Sequence, residues 1–128
     1  AVKALSHITG GGLGANISRV IPTGFIARVD RSSWAMPPVF STLSKLGGVS
    51  WDAMEQTFNL GVGMVAIVDE AVADEALGFL MAIGSEPWVL GDVELSSSSL
   101  QVADSDRLVQ GAKGVQAGAA LLTGSYRL

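Results

Sequence analysis

Three glycines in a row, Gly10-Gly11-Gly12, leave a backbone few sensible ways to continue. They have no side chains to pack and a high conformational cost. Such a run belongs where the chain takes a positive φ or approaches something closely. The apolar lead-in from Ala1 to Leu5 reads as the start of a strand over residues 2–9. On the far side Leu13, Ile17, Val20 and Ile21 recur at roughly helical spacing until Pro22 stops the segment. Amides left unpaired at the start of that helix, together with its dipole, favour an anion, and phosphate is the natural one. His7, the only histidine, lies just ahead of the turn. A nearby phosphate would favour its imidazolium form at working pH.

A chain of 128 residues is the size of one domain and can bury a sizeable core. Its net charge of −4 and pI near 4.7 give no basic footprint for nucleic acid. The absence of cysteine excludes disulfides, iron–sulfur clusters and thiol catalysis, and suits a cytoplasmic enzyme. One histidine and no cysteine argue against a zinc site of the usual ligands, so no metal site is expected in this chain. The apolar run Leu60 to Val68 closes on Asp69-Glu70, far short of the ~20 residues of a membrane span. No secretory signal is visible, and the early start of a core strand suggests one domain of a longer protein.

Further along, Phe25–Asp30 reads as a strand apolar enough to be central. A helix is expected from Pro37 or Pro38 to Gly47-Gly48, with Val39, Phe40, Leu43 and Leu46 as its apolar stripe. Ser50 is placed to cap a short helix through about Phe58. Gly61–Val68 reads as a strand buried on both faces. The next helix has Asp69 and Glu70 at its start, Val72, Ala76, Leu77, Leu80 and Ile83 as core face, and Gly84 as its stop. Pro87–Leu95 reads as a fourth strand, Ser96–Ser99 as a mobile polar stretch, Ala112–Ala120 as a small-residue segment and Ala119–Gly124 as a last short strand. Strands alternating with helices give an α/β chain of the α+β type, a mixed sheet of about four strands flanked by helices. It forms a single domain over 1–128, with 96–128 as a C-terminal extension.

The residues after Gly12 are not Lys-Ser/Thr, which excludes a Walker P-loop. Gly10, Gly12 and Ala15 do match G-x-G-x-x-A, with Asp30 where a ribose-binding acid would stand, so a dinucleotide-binding oxidoreductase is one alternative. A non-catalytic module that binds a phosphorylated ligand is another. The second notable stretch, Thr57-Phe58-Asn59-Leu60-Gly61-Val62-Gly63-Met64, is by itself a turn with a close backbone approach.

Taken together, His7-Ile-Thr-Gly-Gly-Gly12 with Asn16 and Pro22, then Trp34-x-x-Pro37, then Thr57 to Met64, resembles the C-terminal half of the phosphoribosylformylglycinamidine cyclo-ligases, the aminoimidazole ribonucleotide synthetases of purine biosynthesis. The resemblance runs over about residues 2–95. It implies an α/β/α sandwich of the AIR-synthetase C-terminal type and an ATP-dependent ligase that works in a cleft between two domains. It also implies an N-terminal domain that holds most of the ATP and Mg²⁺ and through which the full-length enzyme dimerises, with a small-molecule nucleotide as substrate. The site residues that follow from the resemblance are His7 as acid/base or electrostatic group and Asn59 as an orienting group. Thr9, Gly10, Gly11, Gly12 and Asn16 would hold phosphate or substrate.

Overall fold

In the computed structural model, which describes residues 1–97, 100–111 and 117–128, the lead-in to the glycine turn forms strand β1 (Val2–His7) and the turn opens helix α1 (Gly12–Ser18). Strand β2 (Phe25–Asp30) follows, then α2 (Pro38–Gly47), α3 (Trp51–Glu55), β3 (Met64–Val68), α4 (Ala73–Ala82), β4 (Gly91–Leu95), β5 (Arg107–Gln110) and β6 (Ala119–Thr123). Local chemistry sets the ends as expected. Pro38 occupies the first helical position of α2, and Gly48 ends that helix in the left-handed region. The Ser50 hydroxyl accepts from the Ala53 amide at 3.2 Å and caps α3. Gly84, with a positive φ, follows α4.

Four strands make one mixed sheet in the order β4-β2-β6-β5. β2 lies antiparallel to β4, with Phe25 opposite Leu95, and parallel to β6, with Ile26 opposite Ala119. β5 closes the other side antiparallel to β6. The central place of β2 is the one its apolar run predicted. β6 is buried from Ala119 to Leu122, so the C-terminal segment supplies a central strand of the sheet. One face of the sheet receives α1: Leu13, Ile17 and Ile21 pack with Ala27, Val29, Ala120 and Leu122 in the main core. On the other face Ile26, Ala119 and Leu121 gather with Leu100. The expected four-stranded mixed sheet is present and takes in three of the expected strands, as β2, β4 and β6, with the unexpected β5 beside them in place of the strands before the glycine turn and after Asn59.

β1 and β3 form a separate antiparallel ribbon, with Leu5 opposite Ala66 and His7 opposite Met64. This corrects the reading of Gly61–Val68 as doubly buried: the strand is shorter, and Met64 and Ala66 face out. The helix after it also differs from expectation. No residue of α4 is buried, because among the described residues little beyond its own leading turn packs on it, so its apolar stripe covers no core. α2 likewise buries none of its residues, although Phe40 packs against the core from outside. β5 went unforeseen, since Arg107-Leu-Val-Gln110 is too short and polar to announce a strand. Ser98-Ser99 of the polar run and residues 112–116 of the small-residue segment lie outside the described residues. No helix among those described is long and apolar enough to cross a membrane.

The topology also removes the dinucleotide alternative. That motif needs the strand before the glycines to run parallel beside the next one. Here β1 pairs with β3, and β2 sits in the other sheet. The Asp30 carboxylate accepts from the amide and hydroxyl of Ser32 at 2.8 and 2.7 Å, so it caps its own turn.

Candidate functional site

The glycine turn is a hydrogen-bonded reversal. The Gly12 amide donates back to the Thr9 carbonyl at 3.2 Å, and Gly11 and Gly12 hold φ of +97° and +79°. A side chain at Gly12 would overlap the backbone carbonyl of Glu55, so the turn rests directly on the end of α3. Asn16 staples it from below. Its Nδ2 donates to the carbonyls of Gly12 at 2.7 Å and Thr9 at 3.2 Å, while its Oδ1 accepts from the Thr9 hydroxyl at 3.3 Å and from Arg19 at 3.2 Å. Asn16 is buried and directed into the turn. Among the described residues, no protein acceptor pairs with the amides of Gly10 and Gly11, and both residues are exposed.

The second motif folds as a tight turn against the first. The Val62 amide donates to the Asn59 carbonyl at 3.0 Å across Leu60 and Gly61, whose φ values are +53° and +97°. Positive φ at both central positions is the pattern of a type I′ turn, and leucine is a poor choice for it. Burial of the Leu60 side chain holds it there. The Trp34 indole donates to the Leu60 carbonyl at 2.9 Å, and Pro37 lies against Gly61 where a methyl group would collide with it. The Asn59 side chain accepts from the Gly61 amide at 2.9 Å. The Ile8 amide donates to the Gly63 carbonyl at 3.0 Å and joins the two turns.

All three sequence motifs therefore meet in one place. His7 stands exposed on β1 beside Met64, Thr9 and Gly10 follow it, and Asn59 lies half-buried in the adjoining turn. No hydrogen bond joins His7 to Asn59 among the described residues, because the Asn59 oxygen is engaged within its own turn.

Beneath the glycine turn lies a polar centre that sequence reasoning missed. The buried Glu55 carboxylate receives Arg31 in a two-pronged pair, Nε to Oε2 at 2.8 Å and Nη2 to Oε1 at 2.9 Å. Arg107 adds Nε to Oε1 at 2.8 Å, and the Tyr126 hydroxyl donates a short bond to Oε2. Arg31 also donates to the carbonyls of Ser105 at 2.7 Å and Gly124 at 3.2 Å. Burial alone would raise the Glu55 pKa, but hydrogen bonds from Arg31, Tyr126 and Arg107 outweigh it and hold the carboxyl below its ordinary value. Burial, and then the bond to Glu55, push the Tyr126 hydroxyl well above the ordinary tyrosine value. A cavity of about 340 Å³ lies between Gly11, Gln56, Arg107 and Gln110, and another of about 280 Å³ between Trp51, Tyr126 and Leu128; Glu55 lines both. The sequence held no local signal for this centre. Arg31 read as loop, and Arg31, Arg107 and Tyr126 stand 24, 52 and 71 positions from Glu55. Among the described residues no three His, Asp or Glu side chains gather closely enough to hold a metal ion.

Comparison with known proteins follows the same motifs. Residues 1–102 match the family model described as AIR synthase related protein, C-terminal domain. A phosphoribosylformylglycinamidine cyclo-ligase of Sorangium cellulosum is 50% identical over 93 residues, which cover 73% of this chain and 27% of the relative. Its namesake in Paraburkholderia xenovorans is 46% identical over 98 residues, or 77% of this chain and 28% of the relative. A putative phosphoribosylformylglycinamidine cyclo-ligase of Streptomyces fradiae is 42% identical over 125 residues, 98% of this chain and 61% of the relative. That last match takes in the segment that builds β5 and β6. In the first two relatives the chain spans little more than a quarter of the length.

Proposed function

This chain belongs to the AIR synthase related family, as its C-terminal domain, and on that premise we propose that it forms part of a phosphoribosylformylglycinamidine cyclo-ligase of purine biosynthesis. In that reaction ATP activates the formyl oxygen of formylglycinamidine ribonucleotide, an amidine nitrogen attacks the activated carbon, the imidazole ring closes and phosphate leaves. The observation that carries the reading is the convergence of His7–Gly12, Trp34–Pro37 and Asn59–Gly63 on one surface, tied by the Ile8–Gly63 and Trp34–Leu60 hydrogen bonds.

The parts of this chain then divide by what their atoms have free. Gly10 and Gly11 offer unpaired, exposed amides to a phosphate oxygen. Gly12 and Asn16 serve differently from a direct ligand: the amide of one and the side chain of the other are committed within the turn and hold its shape. Thr9 presents a hydroxyl at the same rim. His7, exposed on β1, is the group able to hold or move a proton beside the reacting amidine. Asn59 keeps the adjoining turn in position. In this reading ATP and Mg²⁺ are held mainly by the N-terminal domain of the enzyme. What these residues supply is positioning and charge stabilisation.

The test is ring closure with ATP, Mg²⁺ and formylglycinamidine ribonucleotide, in an enzyme whose matched segment is replaced by this chain. Activity that falls at least 100-fold in His7→Ala, with the fold intact, supports the assignment. Turnover within a few-fold removes His7 from catalysis. No turnover, with phosphate still bound at the turn, would instead mark a binding module.

A further inference from the structure

Resting on the reading of this chain as part of a larger cyclo-ligase, we propose that the outer face of the β1–β3 ribbon is the surface on which the rest of such an enzyme's polypeptide docks, with a strand of it pairing along an open edge of the ribbon. β1 and β3 pair only with each other among the described residues. A two-stranded ribbon is marginal in water, and its unpaired edges are templates for another strand. The outer face carries Leu5 and Met64, each 59% exposed, with Ala66 beside them. Lys3 is the one Lys, Arg, Asp or Glu within β1 and β3, and it pairs with Asp69 at 3.3 Å at the Val2–Val68 end of the ribbon. Natural edge strands are usually guarded by charge, proline or a bulge; here Lys3 and the register shift between Val2 and Ala4 guard only one end of the ribbon. Apolar side chains exposed together on one face are a mark of an interaction site.

The occupant follows from the lengths. The part that this chain matches is 27–28% of relatives with which it shares 46–50% identity, so nearly three-quarters of such an enzyme is polypeptide outside this match. Docking within one chain benefits from a high effective concentration, whereas a second copy would meet the full entropic cost of association. His7 lies on this same face, two positions from Leu5. Docking there would put the imidazole at a boundary between two parts of the enzyme, where a cleft reaction needs it.

The absence of cysteine gives a direct probe. Leu5→Cys and Met64→Cys, made singly, are alkylated by iodoacetamide in this chain alone and in a fusion that replaces the matched segment of the Sorangium cellulosum relative. Labelling is read peptide by peptide, and amide exchange of unsubstituted β1 and β3 is followed in parallel. The expected result is ready labelling in the chain alone and at least tenfold slower labelling in the fusion, with matching amide protection. Equal labelling and exchange in a folded fusion would overturn the proposal. So would protection already present in the chain alone together with a dimer in sedimentation, which would make a second copy the occupant. If the first fusion folds poorly, the same graft into the Paraburkholderia xenovorans relative takes its place. Protection without ring closure would defeat the functional reading and leave the docking surface standing, and ring closure without protection would do the reverse.

Discussion

Around Glu55 the chain leaves no buried side-chain nitrogen or oxygen without a partner among the described residues, while around β1, β3 and α4 it leaves leucine, methionine and phenylalanine in water. The contrast lies between two ways of completing a structure. The β4-β2-β6-β5 sheet draws its strands from distant parts of the chain and is closed by Arg31, Arg107 and Tyr126 converging on one carboxylate. The strands of the ribbon pair only with each other among the described residues, and Val65 and Ile67 pack one side of it on the core while the other side stays open. One region is closed by a buried polar centre, and the other leaves an apolar face open.

The largest difference should come from removing the carboxylate. Glu55→Ala leaves the Arg31 guanidinium buried without its counter-ion, a loss of about 3–5 kcal/mol and a large share of the ~5–15 kcal/mol that holds a typical domain together. Leu5→Lys on the ribbon should cost no more than about 0.5 kcal/mol in the chain alone, as for other surface changes. Urea denaturation of both variants makes the comparison. Equal losses would mean that the ribbon is packed after all. Acid should act on the same centre. The folded Glu55 pKa is depressed, so its contribution is present above the unfolded value of about 4.3 and is lost as pH falls through the folded value. At the alkaline end Tyr126 works in the other sense. Its folded pKa is raised, so its contribution holds below about pH 10 and fades as pH rises towards the folded value. Thermal melts across pH should show the acid limb flattened in Glu55→Gln.

A smaller effect should separate two neighbouring glycines. Gly12 has a positive φ and its missing side chain would strike the Glu55 carbonyl, so Gly12→Ala must lift the turn off α3, at about 2–3 kcal/mol. Gly10 has open space around it, and Gly10→Ala should fall within about 0.5 kcal/mol. Melts of the two variants measure the difference. If both are neutral, the turn does not rest on the Glu55 centre as described.

How far these features could be read in the residues follows a physical line. Elements set by neighbours in sequence were legible: the apolar run of β2, the proline and glycine that bracket α2, the Ser50 cap. The three motifs of the candidate site were legible as separate strings, and their meeting point was not, because it depends on Leu60 and Gly61 turning back under Trp34. The Glu55 centre could not be read at all. A buried ion pair is a relation between residues 24, 52 and 71 positions apart, and each member alone resembles a surface charge. The misreading of Gly61–Val68 and of the α4 stripe has a related cause. Periodicity reports which face could be buried and is silent on what arrives to bury it.

Trp34 joins the two regions, and its substitution should cost less than Glu55→Ala or Gly12→Ala and have the most localised consequence. Its ring packs edge-on against Tyr126, with centroids 5.6 Å apart, on the saturated side, while its indole nitrogen holds the Leu60 carbonyl of the turn that abuts β1. Trp34→Phe keeps an aromatic ring in the core and deletes that donor, leaving a buried carbonyl unpaired at a cost of about 1–2 kcal/mol. Trp88→Phe removes a more exposed bond to the Ser33 hydroxyl at 3.2 Å and should cost less than about 0.5 kcal/mol. The informative readout is local. Without that hydrogen bond the positive φ of Leu60 is held by the burial of its side chain alone, so amides from Asn59 to Gly63 should exchange faster in Trp34→Phe while those of β2 and β6 do not change. Uniform acceleration across both regions would show that Trp34 supports the whole core. Acceleration confined to the turn would show that the candidate site is held in shape from the Glu55 side, through one indole.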